Sequence, residues 1–112
     1  MKKYIVLYHA PASFSKMMQS SSPEEMKEHM GAWMAWAEKC GSHLVDMGTP
    51  LGGGMKISPT GSEPSGKDVV GYSILQAESM ESAIELLRDH PHLMADDSCA
   101  IEVHESLPVP GS

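Results

Sequence analysis

The sequence predicts an α+β fold in which a four-stranded antiparallel sheet carries two helices on one face. Four short runs rich in β-branched and aromatic residues alternate with two stretches of helical periodicity. These six elements follow the order β-α-β-β-α-β. A length of 112 residues is enough for one domain whose hydrophobic core needs neither a disulfide nor a metal ion.

The first strand is predicted over residues 3–9, KYIVLYH, and the segment APASFSKMMQSSS that follows it is predicted to be a polar loop. A strong helix start comes next. Ser22 can cap the helix, Pro23 suits its first position, and Glu25 completes a capping box. Gly41 is placed to end this helix just after Cys40.

The first helix has one apolar face, because its apolar residues are spaced by three and four positions. These residues are Met26, Met30, Trp33, Trp36, Ala37 and Cys40. Methionine fills irregular apolar space and adapts to ligands, and the chain has ten methionines. We expect them mainly in the core and in dimer packing.

The second strand is predicted over residues 43–48, HLVDMG. Residues 52–66 are rich in Gly, Ser and Pro and are predicted to form a long hairpin connection that contains a short strand, MKIS. The third strand is DVVGYSILQ, residues 68–76. Successive residues of this strand point to opposite faces, and neither face is strongly polar. Both faces are therefore expected to be covered.

Ser79 is predicted to cap the second helix, MESAIELLRDH, and Pro91 to close it. The fourth strand is CAIEVH, residues 99–104, and residues 106–112 form a C-terminal tail of a single domain spanning 1–112. With right-handed crossovers this order gives the ferredoxin-like arrangement. A second copy packing sheet against sheet would cover the face that the helices leave bare, so we expect a homodimer.

The composition narrows the possible partners. A net charge of −7 with eight scattered basic residues argues against nucleic acid binding. No apolar run is long enough to span a membrane, and the short apolar stretch near the N-terminus is interrupted by His9, so we expect a cytoplasmic protein. Cys40 and Cys99 lack CxxC spacing and are expected to be reduced and buried.

Two polar residues stand out around the first helix, namely His29 on the edge of its apolar face and Asp46 inside the second strand. From His29 to Cys40 the helix covers about 16 Å, and a returning strand covers that length in about five residues. Asp46 therefore returns level with His29. Whether the two side chains meet depends on the pleat of the strand.

If they meet, the carboxylate holds one imidazole nitrogen protonated and leaves the other as a general base or acid. The alternative is a structural tie between helix and strand, with an inert histidine. The spacing leaves both interpretations open.

Three segments resemble the YCII-related proteins, in particular the branch related to DGPF-domain proteins: SPEEMKEHMGAWMAWAEKCGSHLVDMGTPLGGG, GYSILQAESMESAIELLRDHPHL and IEVHESLPVPG. The resemblance implies a ferredoxin-like fold that forms a dimeric α/β barrel. It also implies an active-site dyad at His29 and Asp46. One relative in that family acts as a dehydrochlorinase on a chlorinated hydroxyquinol, which implies acid–base chemistry on a small aromatic substrate.

The remaining candidates for a substrate-binding role are His9, Trp33, Trp36, His90 and His92. His9 lies where the first strand ends, and Trp36 beside His29 could stack on a flat ligand. His90 and His92 flank Pro91, and the resemblance implies that this segment lines the cleft. Their position at a predicted helix C-terminus is an equally good structural explanation. No third ligand accompanies them, so no metal site is expected.

These observations leave three hypotheses. The first is a small dimeric enzyme, without a cofactor, in which His29 acts as acid or base on a small organic substrate and Asp46 orients it. The second is a non-catalytic module of the same fold that binds a small molecule or has a regulatory role. The third is a structural dimer without a ligand. A pocket beside His29 would favour the first two.

Overall fold

The computed structural model describes residues 1–66 and 68–110 of the chain. The strands in this part are β1 (Lys2–His9), β2 (Leu44–Asp46), β3 (Met55–Ser58), β4 (Gly61–Pro64), β5 (Val69–Ala77) and β6 (Ala100–Glu105). The helices are α1 (Ala12–Gln19), α2 (Pro23–Cys40), α3 (Met80–Leu87) and α4 (Pro91–Ala95), and a 3₁₀ turn, Gly41–His43, follows α2.

Four strands form one antiparallel sheet in the order β2-β5-β1-β6. The first and third strands of the β-α-β-β-α-β pattern thus lie in the middle, which is the ferredoxin-like fold that the sequence predicts. The connection between β2 and β5 forms a separate two-stranded hairpin of β3 and β4, so the predicted strand MKIS is present and has a partner.

The start and end of α2 follow from local sequence. The Ser22 hydroxyl accepts a hydrogen bond from the Glu25 amide, and the Glu25 carboxylate accepts one from the Ser22 amide. Pro23 occupies the first turn, where no amide hydrogen is needed. Gly41 ends the helix at a φ of 56° and donates its amide hydrogen to the Ala37 carbonyl. This predicted helix is confirmed over its whole length.

The core lies between α2, α3 and one face of the sheet. The sheet contributes alternate residues of the two central strands: Tyr4, Val6, Tyr8, Ser73, Leu75 and Ala77. The helices contribute Trp36, Cys40, Ala83 and Leu87. The other alternate residues, including Ile5, Leu7, Tyr72 and Ile74, are partly exposed on the opposite face. We call these two surfaces the helix-side face and the outer face.

Two predicted elements differ from the structure. The predicted polar loop after β1 contains helix α1, whose Phe14 is buried with Ala10 and Cys99. That helix has no strong start signal in its local sequence, and its buried Phe14 packs against Ala10 and Cys99, which lie outside the helix. Pro91 begins α4 instead of closing α3, and His90 caps α4 with its side chain.

Three further expectations concern single residues. Met26 and Met30 are 51% and 52% exposed, because the first turns of α2 extend past the core. Cys40 and Cys99 are both buried and unpaired, as predicted. Within residues 1–66 and 68–110, no helix combines the length and the apolar composition needed to cross a bilayer.

Candidate functional site

A cleft of about 400 Å³ lies between α2, the helix-side face of the sheet and residues 47–51. Its lining is mostly apolar and aromatic and consists of Tyr8, Phe14, Met26, His29, Met30, Trp33, Met47, Gly48, Thr49, Pro50, Leu51, Val70, Gly71, Tyr72 and His92. A wider, more open groove of about 680 Å³ lies between α2 and α4. We take the cleft as the candidate site because aromatic rings enclose it.

The segment after β2 forms the rim of the cleft because it crosses close to β5. Gly48 has a φ of 79°, and a Cβ atom there would collide with the Tyr72 carbonyl oxygen. Only glycine fits this crossing. Leu51 then donates its amide hydrogen to the Val70 carbonyl at 2.9 Å, which fixes the end of the segment.

His29 lies in the wall of the cleft, one turn before Trp33 on α2. The Trp33 indole Nε1–H donates to His29 Nε2 at 3.0 Å. Because Nε2 accepts, a neutral His29 carries its proton on Nδ1. Burial lowers the pKa of His29, so the neutral form predominates near pH 7.

His90 lies deeper, behind the cleft wall, and is completely buried. Its ring packs against Tyr8, Trp33 and Trp36 with centroid distances of 4.9, 4.4 and 4.3 Å. Its Nδ1 accepts the His92 amide hydrogen at 2.9 Å. A proton on Nδ1 would place two N–H donors, the ring and the His92 amide, against each other. Burial, followed by the charges of His92 and His29, lowers its pKa to about 3.

His92 lines the cleft and is also buried. Its Nε2 faces the His9 carbonyl oxygen at 2.8 Å, and since a carbonyl only accepts, this nitrogen carries the proton. Burial is the main cause of its lowered pKa, which a charge on His29 would lower further. The site therefore contains three neighbouring imidazoles that are neutral at pH 7.

Tyr8 also lines this site, although no sequence pattern predicted it there. Its hydroxyl lies 2.7 Å from Ser73 Oγ, and Ser73 donates its own hydrogen to the Met47 carbonyl at 2.7 Å. Tyr8 is therefore the donor in the first bond. Burial raises the pKa of Tyr8, so it remains a neutral phenol. Its position in β1, two residues after Val6 and four after Tyr4, places it on the same buried face of the strand and could have predicted its burial.

Asp46 does not meet His29. Within the described residues, no hydrogen bond or ion pair joins them; Asp46 accepts from the Gly48 amide at 2.8 Å and from the Tyr72 hydroxyl at 3.5 Å. The reason is an irregularity in β2: Leu44 pairs with Leu75, but Asp46 pairs with Ile74.

Paired residues of neighbouring strands point to the same face of a sheet. Leu44 therefore points to the helix-side face with Leu75, whereas Asp46 points to the outer face with Ile74. The extra residue between them, Val45, reverses the face that a regular pleat would give. The expected contact between imidazole and carboxylate is thus absent, for a reason that strand spacing could not reveal.

His9 and Trp36 are near the cleft but do not line it. The His9 ring faces Asp68 Oδ1 at 2.8 Å and Glu102 Oε1 at 3.4 Å, and only its backbone carbonyl contacts the site, through His92. Trp36 is buried, donates to the Leu86 carbonyl at 2.8 Å and lines the wider groove.

The chemical groups present suit acid–base chemistry in an apolar setting. His29 supplies an imidazole, and Trp33 supplies an N–H group that is bonded to it; the Tyr8 ring lines the same cleft, with its hydroxyl bonded to Ser73. Among residues 1–66 and 68–110, no group of three or more His, Cys, Asp or Glu side chains is arranged to hold a metal ion.

Comparison with known proteins finds likeness in structure alone. No protein-family model matches the sequence, and no curated protein matches it. The fold is similar to that of 5-chloro-2-hydroxyhydroquinone dehydrochlorinase from Burkholderia phenoliruptrix AC1100, solved in complex with 2,5-dihydroxybenzoquinone. The TM-score is 0.55 at 19% sequence identity, over 93% of this chain and 91% of that chain. At this identity the likeness shows the fold.

Proposed function

We propose that this chain is a small-molecule enzyme in which His29 exchanges a proton with the hydroxyl group of an uncharged, flat ring bound in the cleft. The alternative from the sequence, a binding or regulatory module without turnover, uses the same cleft. Asp46 has no part in this proposal because its side chain lies on the outer face.

The observation that carries the proposal is the character of the cleft wall. Among the described residues that line it, none is Lys, Arg, Asp or Glu, and four are Phe, Tyr or Trp. An ion that entered would lose its hydration without gaining a charged partner, whereas a flat ring would gain stacking contacts. We infer that the ligand is an uncharged ring with hydroxyl or carbonyl groups.

A general acid or base works best when its pKa lies close to the working pH. Burial lowers the pKa of His29, which makes its protonated form a stronger acid. Neutral His29 can take a proton from a ring hydroxyl and return it to another ring atom. Such a transfer is the core of an isomerisation or an elimination.

The similarity of fold supports this choice of substrate class, since the similar protein is a dehydrochlorinase solved with a dihydroxybenzoquinone. We also propose that the chain belongs to the YCII-related family, as its sequence suggests. Neither inference fixes the ring substituents, because one fold supports many reactions.

We further propose that a second copy covers the outer face. Ile5, Leu7, Tyr72 and Ile74 leave an apolar area there. The hairpin of β3 and β4 is exposed throughout, with Ile57 at 82%. Ile74→Glu should give a monomer by analytical ultracentrifugation. Ile84→Glu, an exposed position of α3, is the matched control and should leave a dimer. Monomeric wild-type protein at micromolar concentration would rule out this interface.

The test of the function is a comparison of matched ligands by calorimetry and by NMR. Hydroquinone and hydroxyquinol should bind and shift the indole signal of Trp33. 2,5-Dihydroxybenzoate, which adds one carboxylate to hydroquinone, should bind at least tenfold more weakly. Equal binding of both, or binding of neither, contradicts the proposal.

Turnover separates the enzyme from the binding module. Chlorinated and unsubstituted hydroxyquinols are incubated with the wild type and with His29→Gln, and products are followed by absorbance and mass spectrometry. Turnover that His29→Gln abolishes while binding is kept supports the enzyme. Binding without turnover by the wild type supports the module.

A further inference from the structure

We propose that Trp33 is a positioning residue: its indole N–H holds His29 in the tautomer with the proton on Nδ1, and a bound ligand then takes over that N–H. The first half concerns the ligand-free protein and stands by itself. The second half rests on the proposed function.

The donor and acceptor in this pair have only one possible assignment. An indole Nε1–H is a donor and has no acceptor atom, so His29 Nε2 must accept at 3.0 Å. The two residues are four positions apart on α2, where side chains are neighbours along one helix face. His29 therefore keeps a lone pair on Nε2, and both partners line the cleft.

Trp33 is itself held by packing that does not involve His29. Its ring stands edge-on to Tyr8 and His90 with centroid distances of 4.9 and 4.4 Å, and edge-on to Trp36 at 6.2 Å. The rings of Tyr8, Trp36 and His90 thus set the direction of the indole N–H. Because that direction is set by the core, the imidazole must adapt to the indole.

Ligand binding would exchange the partners of this bond. The ring hydroxyl of the ligand approaches His29 Nε2 and displaces the indole N–H. In the reaction that follows binding, its O–H bond breaks, its proton forms the new N–H bond on Nε2, and the electron pair stays on oxygen. The freed Trp33 N–H then donates to that oxyanion, while His29 becomes an imidazolium.

Several charged or titratable groups face His29 and must be considered in any titration. His90 and His92 lie on the α4 side. The wider groove that His29 also lines brings Glu25, Glu28, Lys39 and Asp89 to its other side. None of these groups determines which nitrogen of a neutral His29 carries the proton. The tautomer is therefore the sharper measurement.

The experiment is a long-range ¹H–¹⁵N spectrum of the six histidines in the ligand-free protein at pH 8, for wild type, Trp33→Phe and Trp36→Phe. Trp33→Phe keeps an aromatic ring and removes the N–H. Trp36→Phe is the matched control, since that indole donates to the Leu86 carbonyl and not to His29.

Wild type should show His29 mainly protonated on Nδ1. Trp33→Phe should change it to mainly Nε2–H and raise its pKa, because the lone pair has lost its donor. Trp36→Phe should leave the tautomer unchanged. A wild-type His29 protonated on Nε2 overturns the proposal without any variant, and so does an unchanged tautomer in Trp33→Phe.

Hydroquinone added to the wild type tests the second half. The Trp33 indole proton should remain hydrogen-bonded and change its shift as it moves to the ligand oxygen, while the ligand hydroxyl donates to Nε2 of a His29 that stays neutral. The expected tautomer without ring binding would support the positioning role and contradict the proposed function. Ring binding with the proton of ligand-free His29 on Nε2 would contradict the positioning role and remain consistent with the proposed function.

Discussion

The histidines on the two faces of the sheet have different partners. On the helix-side face, His29 and His92 line an apolar cleft and are bonded to an indole N–H and a backbone carbonyl. On the outer face, His9 lies 2.8 Å from Asp68, and Glu102 Oε1 lies 3.4 Å from His9 and 3.2 Å from His104. Carboxylates therefore accompany the outer histidines and are absent among the described residues that line the cleft.

Burial and nearby charges therefore influence the chemistry of a histidine more than its neighbours in sequence do. Burial without a carboxylate favours the neutral ring and lowers its pKa. A carboxylate beside an imidazole favours the charged ring instead. The proposed cleft chemistry thus depends on neutral groups, and the acidic partner that the sequence suggested lies on the other face.

The largest expected effect separates His29 from Asp46. His29→Gln should lower kcat about 10²- to 10⁴-fold, which is the usual contribution of a general acid or base. Asp46→Asn should change kcat by no more than about twofold, because its side chain makes exposed contacts with Gly48 and Tyr72 and none with His29. Steady-state kinetics with the active hydroxyquinol measures both. Equal losses in the two variants would restore the predicted dyad.

The close approach of the segment after β2 to β5 is tested at Gly48. Gly48→Ala should lower the free energy of unfolding by about 2–4 kcal/mol, since the methyl group meets the Tyr72 carbonyl at a positive φ. Gly53 also has a positive φ but open space around it, so Gly53→Ala should cost about 1 kcal/mol. Urea unfolding measures both values. Similar costs would mean that the close crossing adds nothing.

The buried imidazoles should make stability depend on pH. His90 has a folded pKa of about 3 and an unfolded pKa near 6.5, so between these values the unfolded state binds more protons. Stability therefore falls as pH falls through this range, by about 2 kcal/mol from pH 6.5 to pH 5. Urea unfolding at several pH values measures the slope.

His90→Asn keeps a side chain that caps α4 and removes the titration, so it should flatten this slope. Thr60→Asn, at an exposed turn residue that does not titrate, is the control and should leave the slope as in the wild type. If His90→Asn keeps the full slope, the dependence has another source.

The smallest expected effect compares one tyrosine from each face. Tyr8→Phe should cost about 1–2 kcal/mol, because the buried Ser73 Oγ loses its donor. Tyr72→Phe should cost less than about 0.5 kcal/mol, since its bond to Asp46 is long and exposed. Thermal and urea unfolding of both variants measure the difference. An equal cost would show that the outer contact is stronger than its geometry suggests.

The sequence predicted the sheet, α2 and α3 because their signals are local. The Ser22 capping box and Gly41 act within one turn of the helix. The strands alternate between faces with a period of two. Helix α1 was missed because Phe14 is stabilised by Cys99, far along the chain. The helix beginning at Pro91 had a readable signal, since proline is favoured at a first helical position.

The candidate site was predicted in part. His29, Trp33 and His92, three of the candidates named from the sequence, line the cleft. Tyr8 and the rim at Gly48 were missed, since their place in the site depends on how β1 and the segment after β2 meet β5. The roles of all these residues in catalysis or binding stay predictions.

Local sequence was enough to predict helices α2 and α3, the alternation of the strands and the apolar face of α2, because these properties depend on residues a few positions apart. Which polar groups meet depends instead on the packing of the whole chain. One extra residue in β2, Val45, turns Asp46 to the outer face. The start of α4, which His90 caps, brings His90 and His92 close to His29. Such meetings depend on strand register and on packing between distant segments, and no local pattern records them.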